Sequence, residues 1–379
     1  MIYLDNAATS NHKPYRVKKA VLDALCHPVN VGRNSAKESF IYAEKIFSAR
    51  ENIAKLLHVN TPENIVFTAN ASHALNFAVK GFFKEGMHAI TTTSEHNSVL
   101  RQLSQKDTSA VSYLPCGPNY TPDIAKIPDL IQPETKLLIV NVASNVTGAV
   151  TDYREIYRIA KKHHLTVLFD FSQAAGNLDI DLSGFEGCMA AFSGHKSLLG
   201  PQGTGVLYVS PDLTLNSVLE GGTGSLSGNF YQPDFLPDQF EVGTLNTPGI
   251  LGLSEGVRFV MKETPTQLLA HKLDLIQYVY EAFSDMKEIR LYHNGDFKNS
   301  VGILSFHIEN LYSEQVADIL SKEYGISTRG GFHCAPLMHQ VLGTSQTGTV
   351  RISPGYRTTK KEILKFLDAV NRIRKNSVS

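Results

Sequence analysis

Lys196 is the residue with the clearest potential for covalent chemistry. It ends the motif SGHK (193–196), which follows an apolar run at 189–192 and precedes the glycine-rich stretch GPQGTG (200–205). Small residues after a strand let the backbone approach a ligand closely. A lysine in such a setting can form a Schiff base with a carbonyl cofactor once desolvation or a nearby cation has lowered its pKa. Taken alone the motif is weak, because a lone loop lysine is usually a solvated surface residue.

Asp170 and Gln173 form a second motif, DFSQAAG (170–176), which follows an apolar run at 166–169. A carboxylate at the carboxyl end of a strand in an α/β sheet points into the crevice where ligands bind. There Asp170 would keep a heteroaromatic nitrogen protonated, while Gln173 would donate to a phenolate oxygen of the same ring. The alternative is structural, with Asp170 or Ser172 capping the N-terminus of a helix.

Ser72 and His96 follow two further predicted strands. The segment FTANASH (67–73) runs through small residues into a predicted helix over 74–83. The free N–H groups of that helix start suit a phosphate together with the Ser72 hydroxyl, although Ser72 is equally compatible with a simple N-cap. His96, in SEHNS (94–98), lies where an imidazole could stack on a flat ring or shuttle a proton. A lone histidine usually does neither.

Cys334 lies in RGGFHCAP (329–336), beside His333 and among glycines. This setting indicates a mobile loop and a thiol shifted toward the thiolate. A buried structural cysteine is the alternative that composition alone favours. A metal site is a further alternative, with His333, Cys334 and His339 as ligands. Their spacing is untypical of metal sites and no second ligand cluster follows in the sequence, so no metal site is predicted.

The elements that must position these residues alternate along the first two thirds of the chain. Apolar runs at 65–67, 137–140, 167–169 and 206–209 predict buried strands, rich in β-branched residues and too short for helices. Helical patterns lie between them. This alternation predicts an α/β fold with a mostly parallel sheet covered by helices.

Longer helical patterns replace the alternation from about residue 248. They cover 250–262 and 268–283 and are followed by a strand at 302–308, a helix at 314–324 and a final helix from Thr359. We therefore predict a large α/β domain over 13–255. The smaller α+β domain covers 256–379, includes residues 1–12 and carries the cysteine loop.

Two helix starts are predicted near the N-terminus. Pro14 fits the first turn of a helix that runs to about Leu25. Ser35 and Glu38 have capping-box spacing for a second helix, which runs to about Leu57.

Length and composition describe an ordinary globular protein. The chain has 379 residues, 41.7 kDa, 42% apolar and 19% charged residues, and a mean hydropathy of −0.13, which excludes fibrous and disordered classes. Lys+Arg and Asp+Glu both number 36, so no net charge favours nucleic acid or an anionic membrane. No stretch is apolar enough to span a bilayer, and Asp5 stands where a signal peptide would be apolar, so a cytoplasmic protein is expected. The four cysteines are scattered and predict no disulfide framework.

The motifs, taken in order, resemble the class V aminotransferase family of fold-type I pyridoxal phosphate enzymes, and within it the cysteine desulfurases and selenocysteine lyases. The similarity runs nearly end to end. Its motifs are YLDNAAT (3–9), the turn at 67–73, the His96 segment, ASNVTG (143–148), DFSQAAG, SGHK, EVGTLN (241–246), RGGFHCAP and TVR (349–351). The resemblance implies a mostly parallel seven-stranded sheet in the large domain.

The resemblance also implies pyridoxal 5'-phosphate as the cofactor. Lys196 would hold it as a Schiff base, Asp170 would pair with its pyridinium nitrogen, Gln173 would bind its ring oxygen and His96 would stack on its ring. The residues implied to bind the phosphate are Ala71, Ser72, Ser193 and His195. Relatives often carry two hydroxyl residues where this chain has Ala71-Ser72, so Ala71 would contribute only its N–H.

The remaining assignments concern the substrate and the partner subunit. Arg351 would clamp the substrate α-carboxylate, a task that suits a planar guanidinium. Asn145 would lie near that carboxylate and the ring oxygen, and Arg329 would be a second substrate-side arginine. Surface pairing with carboxylates is the ordinary alternative for both arginines. Thr244 would reach the phosphate in the partner subunit, so a homodimer would complete each site.

The implied activity is that of a cysteine desulfurase, which converts L-cysteine to L-alanine. Cys334 would take the sulfur as a persulfide and pass it to an acceptor protein or a small thiol, while Lys196 and His96 would move protons. Selenocysteine lyase, C–S lyase and aminotransferase reactions stay open, because the shared residues serve the cofactor. A non-enzymatic sulfur-transfer scaffold would need none of these residues. Iron–sulfur cluster assembly, tRNA thiolation and cofactor synthesis are alternative uses of the sulfur.

Overall fold

The computed structural model describes residues 1–29, 31 and 37–377. Its strands are β1 (Ile2–Tyr3), β2 (Ile65–Thr68), β3 (His88–Thr92), β4 (Val111–Leu114), β5 (Thr135–Asn141), β6 (Thr166–Asp170), β7 (Cys188–Ser193), β8 (Gly205–Val209), β9 (Ile289–Leu291), β10 (Leu304–Ile308), β11 (Ile326–Ser327) and β12 (Val350–Ile352). Its helices are α1 (Tyr15–Cys26), α2 (Lys37–Leu56), α3 (Ala71–Phe82), α4 (Asn97–Leu103), α5 (Tyr153–Lys162), α6 (Thr247–Glu263), α7 (Pro265–Ser284), α8 (Ser313–Tyr324), α9 (Pro336–Val341) and α10 (Lys360–Ser377). Within these ranges no helix is both long and apolar enough to cross a membrane.

A seven-stranded sheet forms the core of the larger part of the chain, in the order β2-β8-β7-β6-β5-β3-β4. The pairs from β7 to β4 are parallel, and β8 is antiparallel to both β7 and β2. Alternate residues enter two different cores: Val140 and Phe169 lie in one, Ile139 and Leu168 in the other. Burial on both faces explains why these strands read as unbroken apolar runs. The predicted strands and the mostly parallel sheet are confirmed, and each strand is longer than its run.

The C-terminal part contains a smaller antiparallel sheet, in the order β12-β10-β9, which shares a hydrophobic core with α7, α8 and α10. The N-terminal strand β1 joins this part by pairing in parallel with β11. The predicted helices at 250–262, 268–283 and 314–324 and the strand at 302–308 are confirmed as α6, α7, α8 and β10. The predicted boundary between the two domains, after residue 255, falls within α6. The division of the chain at this residue stays a prediction.

The N-terminal helices agree with the sequence where they are described. Pro14 directly precedes α1. α2 is described from Lys37 onward and carries Glu38 in its first turn, whereas the capping residue predicted for it, Ser35, lies outside the described residues. Both helices pack against α6. The two N-terminal helices therefore contact the helix that leads into the C-terminal part of the chain.

A buried ion pair holds the segment EVGTLN (241–246) against the sheet. Glu241 accepts hydrogen bonds from both terminal nitrogen atoms of Arg50 in α2, at 2.6 and 2.5 Å, and from the backbone N–H of Phe67 at 2.7 Å. Arg50 also donates to the carbonyl oxygen of Ile65 at 2.5 Å. The side chains of the pair are 6% and 5% exposed, so each charge depends on the other for compensation.

Replacing Glu241 by alanine should leave the Arg50 guanidinium buried without a counter-charge. We expect the free energy of unfolding, measured by urea denaturation, to fall by about 3–5 kcal/mol. Glu186→Ala is the control, because Glu186 pairs with Lys161 at 3.4 Å on the exposed surface and its loss should change stability by less than ~0.5 kcal/mol. A loss below about 1 kcal/mol in Glu241→Ala would contradict the dependence of Arg50 on this carboxylate.

Candidate active site

A cavity of about 210 Å³ lies at the carboxyl ends of β5, β6 and β7, the edge at which parallel sheets bind ligands. Most of the residues singled out in the sequence line it, although they come from separate loops. They are Ala71, Ser72, His96, Asn145, Asp170, Gln173, Ser193, His195, Lys196, Arg329 and Arg351. Cys334 and Thr244 do not line this cavity.

Lys196 follows β7 in a loop that packs tightly against the turn after β6. Gly176 in that turn has φ of +83°, and a Cβ there would lie 2.6 Å from the backbone of Ser197, so the approach requires glycine. Burial lowers the pKa of Lys196 to about 8, Asp170 opposes this shift, and two nearby arginines reinforce it. More of this amine is therefore unprotonated at neutral pH than in an exposed lysine.

Asp170 and Gln173 reach the cavity from the end of β6. The backbone N–H of Ser172 donates to Asp170 Oδ1 at 2.8 Å and closes a turn. No helix begins at these residues, so the helix-cap alternative for this motif is wrong. Gln173 Nε2 donates to the carbonyl oxygen of Ala7 at 3.0 Å, which ties the turn to the N-terminal segment. Both side chains are buried, at 4% and 5% exposure.

The turn after β2 brings hydroxyl groups to the first turn of α3. Asn70 caps this helix, because the backbone N–H of His73 donates to its Oδ1 at 2.9 Å. The interpretation of Ser72 as the N-cap is therefore wrong. The Ser72 hydroxyl lies 2.5 Å from that of Ser98, and the Ala71 N–H donates to Ser193 Oγ at 3.2 Å. An anion would meet hydroxyl groups and the positive end of a helix dipole here.

His96 is an uncharged imidazole that the start of α4 orients. The backbone N–H of Ser98 donates to His96 Nδ1 at 3.0 Å, so Nδ1 carries no proton and Nε2 carries one. Burial, followed by the charge of Lys196, lowers the pKa of His96 to about 4. The same causes, with Lys13 added, lower the pKa of His195 to about 4. Both rings are thus neutral at physiological pH.

Arg351, in β12, is held from two sides and is 1% exposed. Its Nη1 donates to the carbonyl oxygen of Asn145 at 2.9 Å, and its Nη2 pairs with Asp5 Oδ1 at 2.7 Å. Arg329 forms an antiparallel bridge with Arg351 through the backbone. Asn145 Nδ2 donates in turn to the carbonyl oxygen of His333 at 2.5 Å. The structure thus brings Asn145, Arg329 and Arg351 together.

Cys334 lies in a constrained turn beside the cavity. Both His333 and Cys334 have positive φ, +48° and +60°, and the Asn97 N–H donates to the Cys334 carbonyl oxygen at 2.7 Å. The thiol is partly exposed, so Cys334 is not the buried structural cysteine that composition alone favours. Its Sγ lies 3.6 Å from Arg329 Nη2. His333 Nε2 donates to the Thr349 carbonyl oxygen at 3.0 Å.

Several buried polar atoms on cavity-lining residues have no hydrogen-bond partner among the described residues. They are Asn145 Oδ1, Ser172 Oγ, His195 Nδ1, His333 Nδ1 and Arg351 Nε. Buried polar groups in folded proteins are nearly always paired. These atoms are therefore candidate contacts for a bound ligand.

Sequence reasoning missed other residues of the cavity. Asn70, Ser98 and Asn141 line it. Asn70 was detectable as an asparagine directly before a helix, whereas the other two have no distinctive spacing. Glu95 lies behind them, and burial raises the pKa of its carboxyl group to about 8. Its Oε1 accepts from Thr92 Oγ1 at 2.7 Å and from the Asn141 N–H at 2.8 Å.

Thr244 is exposed and lies apart from the other predicted residues. It lines a second cavity of about 230 Å³ together with Arg50 and Glu241. Its expected contact with the phosphate in a partner subunit concerns an assembly and stays a prediction.

This fold and site define the class of the protein. The sequence model of the family described as aminotransferase class-V matches residues 2–366, and the chain therefore belongs to that family. It is 33% identical over 371 residues to a probable cysteine desulfurase of Methanothermobacter thermautotrophicus, covering 96% of this chain and 92% of the relative. It is 28% identical to the cysteine desulfurase CsdA of Escherichia coli, covering 98% of this chain and 93% of the relative.

Solved structures agree with this assignment. An apo structure of a cysteine desulfurase from Thermococcus onnurineus superposes with a TM-score of 0.91 and 29% identity, over 99% of this chain and 95% of that one. The S-sulfonic acid form of CsdA from Escherichia coli gives a TM-score of 0.87 at 28% identity, over 98% and 94% of the two chains. The fold is therefore that of fold-type I pyridoxal phosphate enzymes, as the resemblance implied.

The lowered pKa of Lys196 predicts selective reactivity of its amine. In the apoprotein, acetylation of Lys196 by dilute acetic anhydride should rise with pH and reach half its maximum near pH 8, because only the unprotonated amine reacts. Lys161 is the internal control, since Tyr157 and Glu186 raise the pKa of its exposed amine. Peptide mass spectrometry across a pH series measures both. Parallel titration of the two lysines would contradict the proposed environment of Lys196.

Proposed function

We propose that this chain is a pyridoxal phosphate-dependent cysteine desulfurase that converts L-cysteine to L-alanine and carries the sulfur as a persulfide on Cys334. The observation that carries the proposal is a partly exposed thiol, 3.6 Å from the Arg329 guanidinium, beside a cavity that contains a low-pKa lysine and a buried arginine. The names of the relatives and the solved structures support it.

The donor set of the cavity fits pyridoxal 5'-phosphate. Lys196 supplies an amine for the aldehyde, Asp170 a carboxylate for the pyridinium nitrogen, and Gln173 an amide for the ring oxygen. The neutral His96 ring would stack on the cofactor, because an uncharged imidazole is not repelled by a protonated ring. The phosphate would be bound by the residues around the start of α3, which are Ala71, Ser72, Ser193 and His195.

The unpartnered atoms agree with the same ligand and with a substrate. His195 Nδ1 and Ser172 Oγ would gain partners from the cofactor, and Asn145 Oδ1 and Arg351 Nε from the substrate amino acid. When bound, pyridoxal phosphate withdraws electrons from the substrate Cα and weakens the bonds there. Lys196, unprotonated above its pKa of about 8, would take the Cα proton at Nζ. His96, whose Nε2 carries a proton because Nδ1 accepts from the Ser98 N–H, would hold or return a proton during the reaction.

Substrate recognition would rest on Arg351, with Asn145 and Arg329 beside it. A buried guanidinium binds a carboxylate through two parallel N–H bonds, and exclusion of water strengthens the contact. This arrangement selects an α-amino acid. We expect the substrate side chain to lie toward Cys334, because Arg329 lines this cavity and its Nη2 lies 3.6 Å from Cys334 Sγ.

Cys334 would then act as the nucleophile. Its thiolate attacks the substrate sulfur, an S–S bond forms, and the substrate C–S bond breaks with its electron pair left on carbon. Protonation of that carbon, together with the return of a proton from Lys196 Nζ to Cα, yields L-alanine. The enzyme thiol becomes a persulfide, so no external oxidant or reductant is needed. An acceptor protein or a small thiol would remove the outer sulfur by attack of its own thiolate.

The assembly that we propose is a homodimer in the cytoplasm. Thr244 is exposed on the segment that Glu241 anchors, and its hydroxyl would complete the phosphate site of the partner subunit. The division into a cofactor-binding domain over 13–255 and a smaller domain over 256–379 with residues 1–12 belongs to the same proposal. Iron–sulfur cluster assembly is the proposed use of the sulfur.

Two variants should separate cofactor binding from sulfur transfer. Lys196→Ala should abolish both the visible absorbance of the bound cofactor and alanine formation from L-cysteine. Cys334→Ser should keep that absorbance and lose alanine formation by at least about 10²-fold, because only the nucleophile is missing. Cys26→Ser is the control, since Cys26 is an exposed cysteine on α1 and should behave as wild type. Full activity of Cys334→Ser with a thiol acceptor would contradict the assignment of the nucleophile.

A further inference from the structure

Asp5 contacts Arg351 but does not itself line the cavity. Its Oδ1 lies 2.7 Å from Arg351 Nη2, and the side chains of Arg351 and Asp5 are 1% and 16% exposed. Asp5 follows β1 and bridges to Ser353 just after β12. Hydrogen bonds from the Leu4 N–H to the Ser327 carbonyl oxygen at 2.8 Å, and from the Ser353 N–H to the Leu4 carbonyl oxygen at 2.7 Å, fix the segment. The carboxylate is therefore placed by backbone pairing.

The hydrogen bonds of Arg351 leave one part of its guanidinium unused. Nη1 donates to the Asn145 carbonyl oxygen and Nη2 to Asp5. Nε is buried and has no partner among the described residues, although Arg351 lines the cavity. A carboxylate accepts parallel N–H bonds from adjacent nitrogen atoms of one guanidinium. Two fixed contacts on the terminal nitrogen atoms therefore determine where Nε–H points.

Asp5 also supplies a negative charge to a region in which several side chains are positively charged. Arg329 and Arg351 both line the cavity, and Lys196 lies in it as well. A guanidinium that is 1% exposed needs a counter-charge when no substrate is bound. Asp5 supplies that charge from the side of the N-terminal segment and leaves the cavity free.

We propose that Asp5 is the positioning residue for Arg351, which it holds with Nε directed at the α-carboxylate of the substrate. The inference rests on the proposed function, since it takes the substrate to be an α-amino acid. In Asp5→Ala the guanidinium loses one of its two anchors and no longer presents aligned N–H groups. The carboxylate then loses about tenfold or more in affinity, which is the scale of one charge-assisted hydrogen bond.

The test compares two amines that bind the holoenzyme without transferring sulfur. L-Alanine carries an α-carboxylate and L-alaninamide does not, and each is titrated against the visible absorbance of the bound cofactor. In Asp5→Ala the Kd for L-alanine should rise by about tenfold, and the Kd for L-alaninamide should stay within about twofold. Asn6→Ala is the matched control, because Asn6 donates to the Ser353 carbonyl oxygen at 3.0 Å in the same segment. Both of its Kd values should stay within about twofold of wild type.

The outcomes separate the inference from the proposed function. A wild-type holoenzyme that responds to neither amine would overturn both. If the wild type responds and Asp5→Ala binds L-alanine with an unchanged Kd, only the inference is overturned. The inference is also overturned if Asp5→Ala loses affinity equally for both amines, because equal losses indicate an ion pair with a structural role alone. Where Asp5→Ala does not fold, Asp5→Asn gives the test, because it keeps an oxygen acceptor for Nη2. The Kd of Asp5→Asn for L-alanine should stay within about threefold of the wild-type value. A tenfold rise would overturn the inference that Asp5 acts by positioning Arg351.

Discussion

The burial of one guanidinium, that of Arg351, connects the separate parts of this molecule. A charge that is 1% exposed must find partners inside the protein. They come from the N-terminal segment through Asp5 and from the loop after β5 through Asn145, while β12 belongs to the small C-terminal sheet. The cavity lies where these parts meet the large sheet. Its geometry therefore depends on long-range pairing between segments that are hundreds of residues apart in sequence.

Burial of side chains in this cavity also determines the protonation states of Lys196 and His96. Burial lowers the pKa of Lys196 to about 8 and that of His96 to about 4. The amine is thus available as a base, and the imidazole stays neutral in a cavity that already holds several cations. Asp170 opposes the shift of Lys196, so the carboxylate at the end of β6 moderates the effect of the arginines. The ends of the parallel strands bring these opposing charges within reach of one another.

The sequence predicted what local pattern and strand topology determine. Residues such as Asp170 and Lys196 follow buried strands, and parallel strands end at one edge, so their convergence was foreseeable. The N-cap role that the sequence left open for Ser72 belongs to Asn70. Both are good capping residues, so only the contacts decide between them. The contact of Asp5 with Arg351 spans 346 positions. No periodicity or spacing within either segment encodes such a pairing.

A single turnover with L-cysteine tests the central claim most directly. Purified holoenzyme is mixed with one equivalent of L-cysteine, alanine is quantified, and the peptide that contains Cys334 is examined by mass spectrometry. Sulfur transfer to this thiol predicts an increment of about 32 Da on that peptide and about one alanine per site. Bound cofactor with neither an increment nor alanine, or an increment on a different cysteine, would contradict the account.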